Sequence, residues 1–392
     1  MKCLRCKNEN PSFFYNDQGI WYCRKCIEFG RLNIGDVCKP NVLSKTVWKG
    51  DIRLQYPLTD HQKYCSKKII SYLKQKKSVF LYAATGAGKT EVSMGSIAYY
   101  LHQGKKVCFA ISRRQVVLEI RERLQEAFVD LEVVAVTQGY TDITDGDIIV
   151  CTTHQLYRYP QSFDLLILDE VDAFPYANNE LLKEIAKNAC KGEILLLSAT
   201  PDEESLLKIQ NGEMEMVSLF ERPHKHPLII PKVIHLPLFF QILYVFLFCL
   251  QMKKEKKQVL VFVPKKQDTN WMAQIFSVFF SCSGIHSSTK NKDDILDAFR
   301  RKTLSVLFST TLLERGITIP SVQVLVFHAD HPVFTTASLI QIFGRVGRSF
   351  NDPTGIGVCL CQSSSLAIKN CIKQLKKMND TVFCATNEST QN

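Results

Sequence analysis

The apolar run Val79-Phe80-Leu81-Tyr82-Ala83 leads directly into Ala84-Thr85-Gly86-Ala87-Gly88-Lys89-Thr90, and a helix-like segment from Glu91 to Leu101 follows. This order leaves few folds open. A buried strand, a loop of small residues and a helix aimed back at the loop form half of a parallel strand–helix–strand unit. Small side chains let backbone N–H groups close around phosphate oxygens, and the helix start adds positive dipole. Lys89 can reach the β- and γ-phosphates, and the Thr90 hydroxyl can ligate Mg²⁺. The stretch from Ala84 to Thr90 therefore predicts a nucleoside triphosphate site. Ala83 stands where the strict phosphate-loop pattern begins with glycine.

The same strand–helix alternation continues along the chain. Strand-like runs fall at 79–83, 107–111, 132–136, 147–151, 164–168 and 194–198. A polar, proline-containing stretch near 218–232 interrupts them, and runs at 258–263, 304–309, 322–327 and 356–361 resume the pattern. Such alternation implies parallel sheets covered by helices. With 392 residues there is room for two or three domains. We expect an α/β protein with a small cysteine module at 1–50, an ATP-binding lobe at 51–220 and a second lobe at 221–392.

The formal charge is +11, with basic residues scattered rather than clustered. That excess suits a polyanionic partner. Residues 236–250 form the longest apolar run, broken by Pro237 and Gln241. A spanning helix needs about 20 apolar residues, so a buried helix is expected there. No apolar core follows the first residues, so they do not read as a signal peptide, and a cytoplasmic protein is expected. Fifteen cysteines in such a chain point to metal ligation or buried thiols rather than disulfides.

Cys3, Cys6, Cys23 and Cys26 follow the pattern C-x2-C-x16-C-x2-C. Each C-x-x-C pair can turn two sulfurs toward one point, and two pairs complete a tetrahedral S₄ shell for Zn²⁺. Four thiolates leave no open position, which predicts a structural site. The remaining cysteines, such as Cys108, Cys151 and Cys249, read as single core residues. Basic residues around the quartet interleave with Phe13, Phe14, Tyr15, Trp21 and Tyr22. That composition fits stacking on single strands, or the aromatics pack the small core.

Further motifs follow in order. Leu165-Leu166-Ile167-Leu168 ends in Asp169-Glu170-Val171-Asp172. An apolar strand that delivers acids at its end places Asp169 to hold Mg²⁺ opposite Thr90, and Glu170 to orient and deprotonate the attacking water. Ser198-Ala199-Thr200 ends the next strand. Gln341-Ile342-Phe343-Gly344-Arg345-Val346-Gly347-Arg348 lies far downstream, and Arg345 and Arg348 would share one face if that segment is helical. Facing a γ-phosphate, such a pair can neutralise developing charge.

Set in order, these residues resemble superfamily-2 helicases and translocases, whose two lobes are RecA-like. The alanine-initiated phosphate loop fits that class better than small GTPases. The resemblance implies that Gln62, in Leu58-Thr59-Asp60-His61-Gln62, senses adenine. It implies that Arg113, Thr152, Thr153 and Thr310 contact a nucleic-acid backbone, and that Gly316 lies near the nucleotide. Ser198, Thr200 and Gln341 would couple hydrolysis to lobe movement.

The cysteine module before the motor, with Asp169-Glu170-Val171-Asp172-Ala173-Phe174-Pro175-Tyr176, Thr152-Thr153-His154-Gln155-Leu156 and Leu312-Leu313-Glu314-Arg315-Gly316, is similar to the ComFA family of late-competence ATPases, relatives of PriA. That likeness implies an ATP-driven motor on single-stranded DNA at the inner face of the cell membrane. It also implies ComFC and DprA as partners, with possible contact to a DNA-uptake channel. Two other readings fit the same motifs: an RNA-remodelling helicase, and a zinc-anchored assembly protein that uses ATP as a switch.

Overall fold

The computed structural model describes residues 1–36, 43–314, 319, 321–350 and 352–388. It divides into two compact units, Met1–Ala83 with Gly88–Leu219, and Ala84–Ala87 with Phe220–Asn392.

The first unit begins with a hairpin, β1 (Phe14–Asp17) and β2 (Ile20–Cys23). Then come α1 (Asp60–Lys74), β3 (Ser78–Ala83), α2 (Lys89–Leu101), β4 (Val107–Ile111), α3 (Arg114–Ala127), β5 (Val133–Val136) and β6 (Ile148–Thr152). The unit closes with β7 (Phe163–Asp169), α4 (Glu180–Ala189), β8 (Cys190–Ser198), α5 (Glu203–Gln210) and β9 (Met214–Leu219). Seven strands, in the order β5-β6-β4-β7-β8-β3-β9, form a wholly parallel sheet. The central strands are apolar at nearly every position because both faces are covered. Phe80, Ile149, Leu166 and Leu168 pack there with Leu182 and Ile185 of α4.

The second unit contains β10 (Lys232–His235), α6 (Leu238–Lys254), β11 (Gln258–Phe262), α7 (Lys266–Phe276), β12 (Cys282–Ile285) and α8 (Lys292–Arg300). After these come β13 (Val306–Ser309), β14 (Val322–Val326), α9 (Thr336–Phe343), β15 (Gly357–Cys361) and α10 (Leu366–Glu388). Its six strands run parallel in the order β10-β15-β14-β11-β13-β12. Val259, Val261, Phe308 and Leu325 form its centre with Phe276 of α7. The two parallel sheets match the expected α/β class.

Among the described strands of the two parallel sheets, three lie outside the predicted runs: β9, β10 and β12. Each is an edge strand of its sheet. The apolar run at 236–250 forms a helix as expected, but α6 is not buried. Phe239 is 75% exposed, and Leu238, Phe240, Leu243 and Leu247 also face solvent. The buried face carries Val245, Phe248, Cys249 and Met252, so α6 is covered along one side only. No described helix is long and apolar enough to cross a membrane.

Candidate nucleotide site and metal centre

The loop after β3 turns through two residues in the left-handed region, Gly86 and Gly88, each with φ +83°. Glycine adopts that conformation without a Cβ penalty. At Gly88 a Cβ would also meet the Gln62 side-chain amide, which would have to shift. Gln62 is buried and closes a capping box at the start of α1, its Oε1 accepting from the Thr59 N–H at 2.9 Å. A residue predicted to sense the base thus also fixes the helix beside the loop.

Lys89 opens α2, and its Nζ lies 3.2 Å from Asp169 Oδ1 at the end of β7. Only β8 separates β3 from β7, so the loop after one strand and the acid ending the other reach the same carboxyl edge. The Lys89 and Asp169 side chains are 15% and 9% exposed, so water screens the pair weakly. Thr90 is buried one residue into the helix. Asp169 also accepts from the Glu170 N–H at 2.8 Å.

Glu170 has φ +54°. For a residue with a Cβ the left-handed region costs roughly 1–2 kcal/mol. Its N–H is anchored to the Leu197 carbonyl of β8 at 3.0 Å, which holds the chain in this turn as it leaves the sheet. Backbone strain of this kind concentrates at functional sites.

Asp172 was not singled out from the sequence as a site residue. Its carboxylate accepts from Ser198 Oγ at 2.7 Å and from Thr200 Oγ1 at 2.6 Å. The two acidic-turn and Ser-Ala-Thr motifs are therefore one hydrogen-bonded cluster. The spacing of an acid followed by two hydroxyls one strand later was the available signal.

The other predicted backbone contacts lie at carboxyl ends of strands. Arg113 is the N-cap of α3, just beyond β4. Thr152 ends β6, and both it and Thr153 are buried. Thr310 follows β13 and is half-buried. Gly316 lies outside the described residues.

In the second unit Gln341 is buried on α9, and its Oε1 accepts from Thr85 Oγ1 at 3.3 Å. The arginine pair departs from expectation. Helix α9 stops at Phe343 with Gly344 as its C-cap, so Arg345 and Arg348 sit in the turn beyond it. Within that turn Gly347 adopts the left-handed region, at φ +65°. Arg345 is buried, at 2% exposure.

The four sulfurs of Cys3, Cys6, Cys23 and Cys26 lie within 4.8 Å of one another, and all four residues are buried. Cys3 and Cys26 sulfurs are 3.7 Å apart, as are those of Cys6 and Cys23. A tetrahedron with 2.3 Å Zn–S bonds has edges of about 3.8 Å, so the cradle fits zinc. Hydrogen bonds from the Cys26 and Cys6 thiols draw the Cys3 pKa well below its usual value. Phe14 packs beneath the cluster, whereas Phe13, Tyr15 and Trp21 are exposed, so these three do not fill the core. The module rests on the first unit: the Phe29 ring is 5.2 Å from Tyr157, over which the Arg5 guanidinium lies at 5.7 Å.

One cysteine expectation needs correction. Cys108 and Cys151 are not isolated; their sulfurs are 3.6 Å apart on neighbouring strands β4 and β6. Both thiols are fully buried, and burial raises the Cys108 pKa well above its usual value, which favours an inert thiol pair.

Comparison with known proteins agrees with this architecture. Residues 239–350 match the helicase conserved C-terminal domain, and residues 55–203 match the type III restriction enzyme res subunit. The chain is similar in fold to Saccharomyces cerevisiae Dbp5 bound to RNA and ADP BeF3, with TM-score 0.61, 17% identity and coverage of 82% of this chain and 91% of that one. It is likewise similar to RecG bound to a three-way DNA junction, with TM-score 0.61, 20% identity and coverage of 85% and 49%. In sequence it is 35% identical to the competence protein ComFA of Streptococcus pneumoniae strain R6, over 96% of this chain and 90% of that protein. It is 31% identical to the Bacillus subtilis strain 168 protein of the same name, over 97% and 86%. With two RecA-like lobes, a four-cysteine cluster and near full-length identity of this order, the chain belongs to the ComFA family of superfamily-2 helicases.

Proposed function

We propose that this protein is an ATP-driven translocase on single-stranded DNA that serves DNA uptake during natural competence. The observation that carries the nucleotide half of this reading is the Lys89–Asp169 pair, 3.2 Å apart and shielded from water at the start of α2. A cation for phosphate oxygens and an acid for a divalent metal stand together at one helix N-terminus.

In this reading Ala84 to Thr90 wrap the phosphates and Gln62 contacts the base. Mg²⁺, held by Thr90 and Asp169, would shield charge on the β- and γ-phosphates. Glu170 orients the attacking water and takes its proton. Arg345 and Arg348 neutralise charge on the transferring group, a contribution worth about 10³–10⁵ in rate. Asp172 ties the Ser198 and Thr200 hydroxyls to the acidic turn, so a change at the γ-phosphate reaches the end of β8. The reading also gives Arg113, Thr152, Thr153 and Thr310 the backbone contacts to the strand, and Gly316 a role beside the nucleotide. Zn²⁺ on the cysteine quartet is structural. The division into 1–50, 51–220 and 221–392, action at the inner face of the membrane and partnership with ComFC and DprA belong to the same reading.

The test is ATP turnover with no nucleic acid, with single-stranded DNA and with RNA. Strong stimulation by DNA is expected, with Lys89→Ala and Glu170→Gln both inactive. Turnover indifferent to nucleic acid would sink the translocase assignment. A preference for RNA would favour the remodelling helicase, since only RNA offers a 2′-hydroxyl.

A further inference from the structure

Arg222 lies in the connector between β9 and β10, is 1% exposed and is among the largest fully buried side chains. Its Nη2 donates to the Gly344 carbonyl at 2.8 Å, and its Nη1 to the carbonyls of Val346 at 2.8 Å and Gly347 at 3.0 Å. Its Nε donates to the Thr85 carbonyl at 3.0 Å. All four of these partners are backbone carbonyls. A helix end leaves its last carbonyls without intrahelical partners, and a planar guanidinium fork can collect several at once. The Gly344 carbonyl is shared, because Arg348 Nε also donates to it at 3.0 Å.

This arrangement is costly. Burial, and then the neighbouring Arg348 charge, pull the Arg222 pKa down to about 9. A site selected only for stability is commonly served as well by apolar packing. The carbonyls that Arg222 gathers flank Arg345 and immediately precede Arg348.

We infer that Arg222 is the positioning residue for the arginine pair: it pins the turn from Gly344 to Gly347 by its carbonyls and so sets where Arg345 and Arg348 point. This rests on the proposed role of that pair in ATP hydrolysis.

The experiment compares Arg222→Met, Arg222→Lys and Arg345→Ala with the parent protein, and adds the Arg222→Met/Arg345→Ala double variant. Steady-state turnover with DNA and nucleotide affinity are measured separately. Misplacing a catalytic group by an ångström costs about 10²-fold, so Arg222→Met should lower kcat by that order with nucleotide affinity unchanged. Arg222→Lys keeps the charge without the fork and should remain defective. It also serves if the Met variant does not melt cooperatively. In the Arg345→Ala background, Arg222→Met should cost clearly less than in the parent, since one of the two groups it positions is gone.

Wild-type kcat in both Arg222 variants would overturn the inference. So would losses that multiply in the double variant. Nucleotide affinity falling in step with kcat would also overturn it, by placing the effect at Thr85. An active Arg345→Ala would instead sink the catalytic role of the pair. An inactive Arg345→Ala beside active Arg222 variants would sink the positioning role alone.

Discussion

The Asp172 cluster allows a stability effect to be worked from distances. Its carboxylate takes two hydroxyl hydrogen bonds of 2.7 and 2.6 Å, from Ser198 at 0% exposure and Thr200 at 8%. Hydrogen bonds to a charged group contribute about 1.5–3 kcal/mol, and neutral ones about 0.5–1.5. Asp172→Asn keeps the shape but only one acceptor, so one bond becomes neutral and the other is lost, a cost of about 2.5–4.5 kcal/mol. For a unit of this size 1 kcal/mol moves Tm by about 2–4 °C, so calorimetry should show a drop of about 5–18 °C. Serine and threonine replacements should reveal the coupling: Ser198→Ala and Thr200→Val should each cost less in the Asp172→Asn background than in the parent. Nucleotide binding should persist, while DNA movement per ATP falls. An Asp172→Asn protein that melts with the parent, or losses that simply add, would refute the reasoning.

Zinc should be present at about one atom per chain and be lost in Cys23→Ser, as metal analysis of freshly purified protein will report. Zinc-free wild-type protein would contradict the cluster assignment. Glu204 bridges Lys183 at 2.6 Å and Lys208 at 2.5 Å, and these hydrogen bonds, Lys183 first, hold its pKa down from 4.5 to about 2. Because the folded value lies below the unfolded one, its contribution is complete above the unfolded pKa and fades as pH falls toward the folded value. Melting curves of Glu204→Gln should therefore lose part of the parent's acid sensitivity in that window; an identical acid slope would count against the bridge.

What the sequence made legible was chemistry within a short stretch of chain. The phosphate loop and the acids after β7 depend on residues a few positions apart, and central parallel strands read as unbroken apolar runs because both faces are covered. The edge strands β9, β10 and β12 did not stand out for the opposite reason: β12 reads Cys282-Ser283-Gly284-Ile285, with one neighbour and little apolar demand. The run at 236–250 announced a helix but not what covers it, and Phe239 points outward. Spacing put Arg345 and Arg348 on one face only if that segment were helical, and the helix ends at the Gly344 cap before either of them. Arg222 was invisible because three of the carbonyls it holds lie 122 to 125 residues downstream and the fourth 137 residues upstream, and backbone carbonyls carry no sequence signature.

The left-handed turn at Glu170 has an evolutionary consequence. Glycine would occupy φ +54° with no penalty from a Cβ, so Glu170→Gly should relieve backbone strain while removing the acid. At this position a lineage under selection for folding alone would drift toward glycine or asparagine. Under the proposed role of Glu170, selection for turnover is what holds glutamate at this strained position, so residue 170 in a sister chain would report whether that selection still acts.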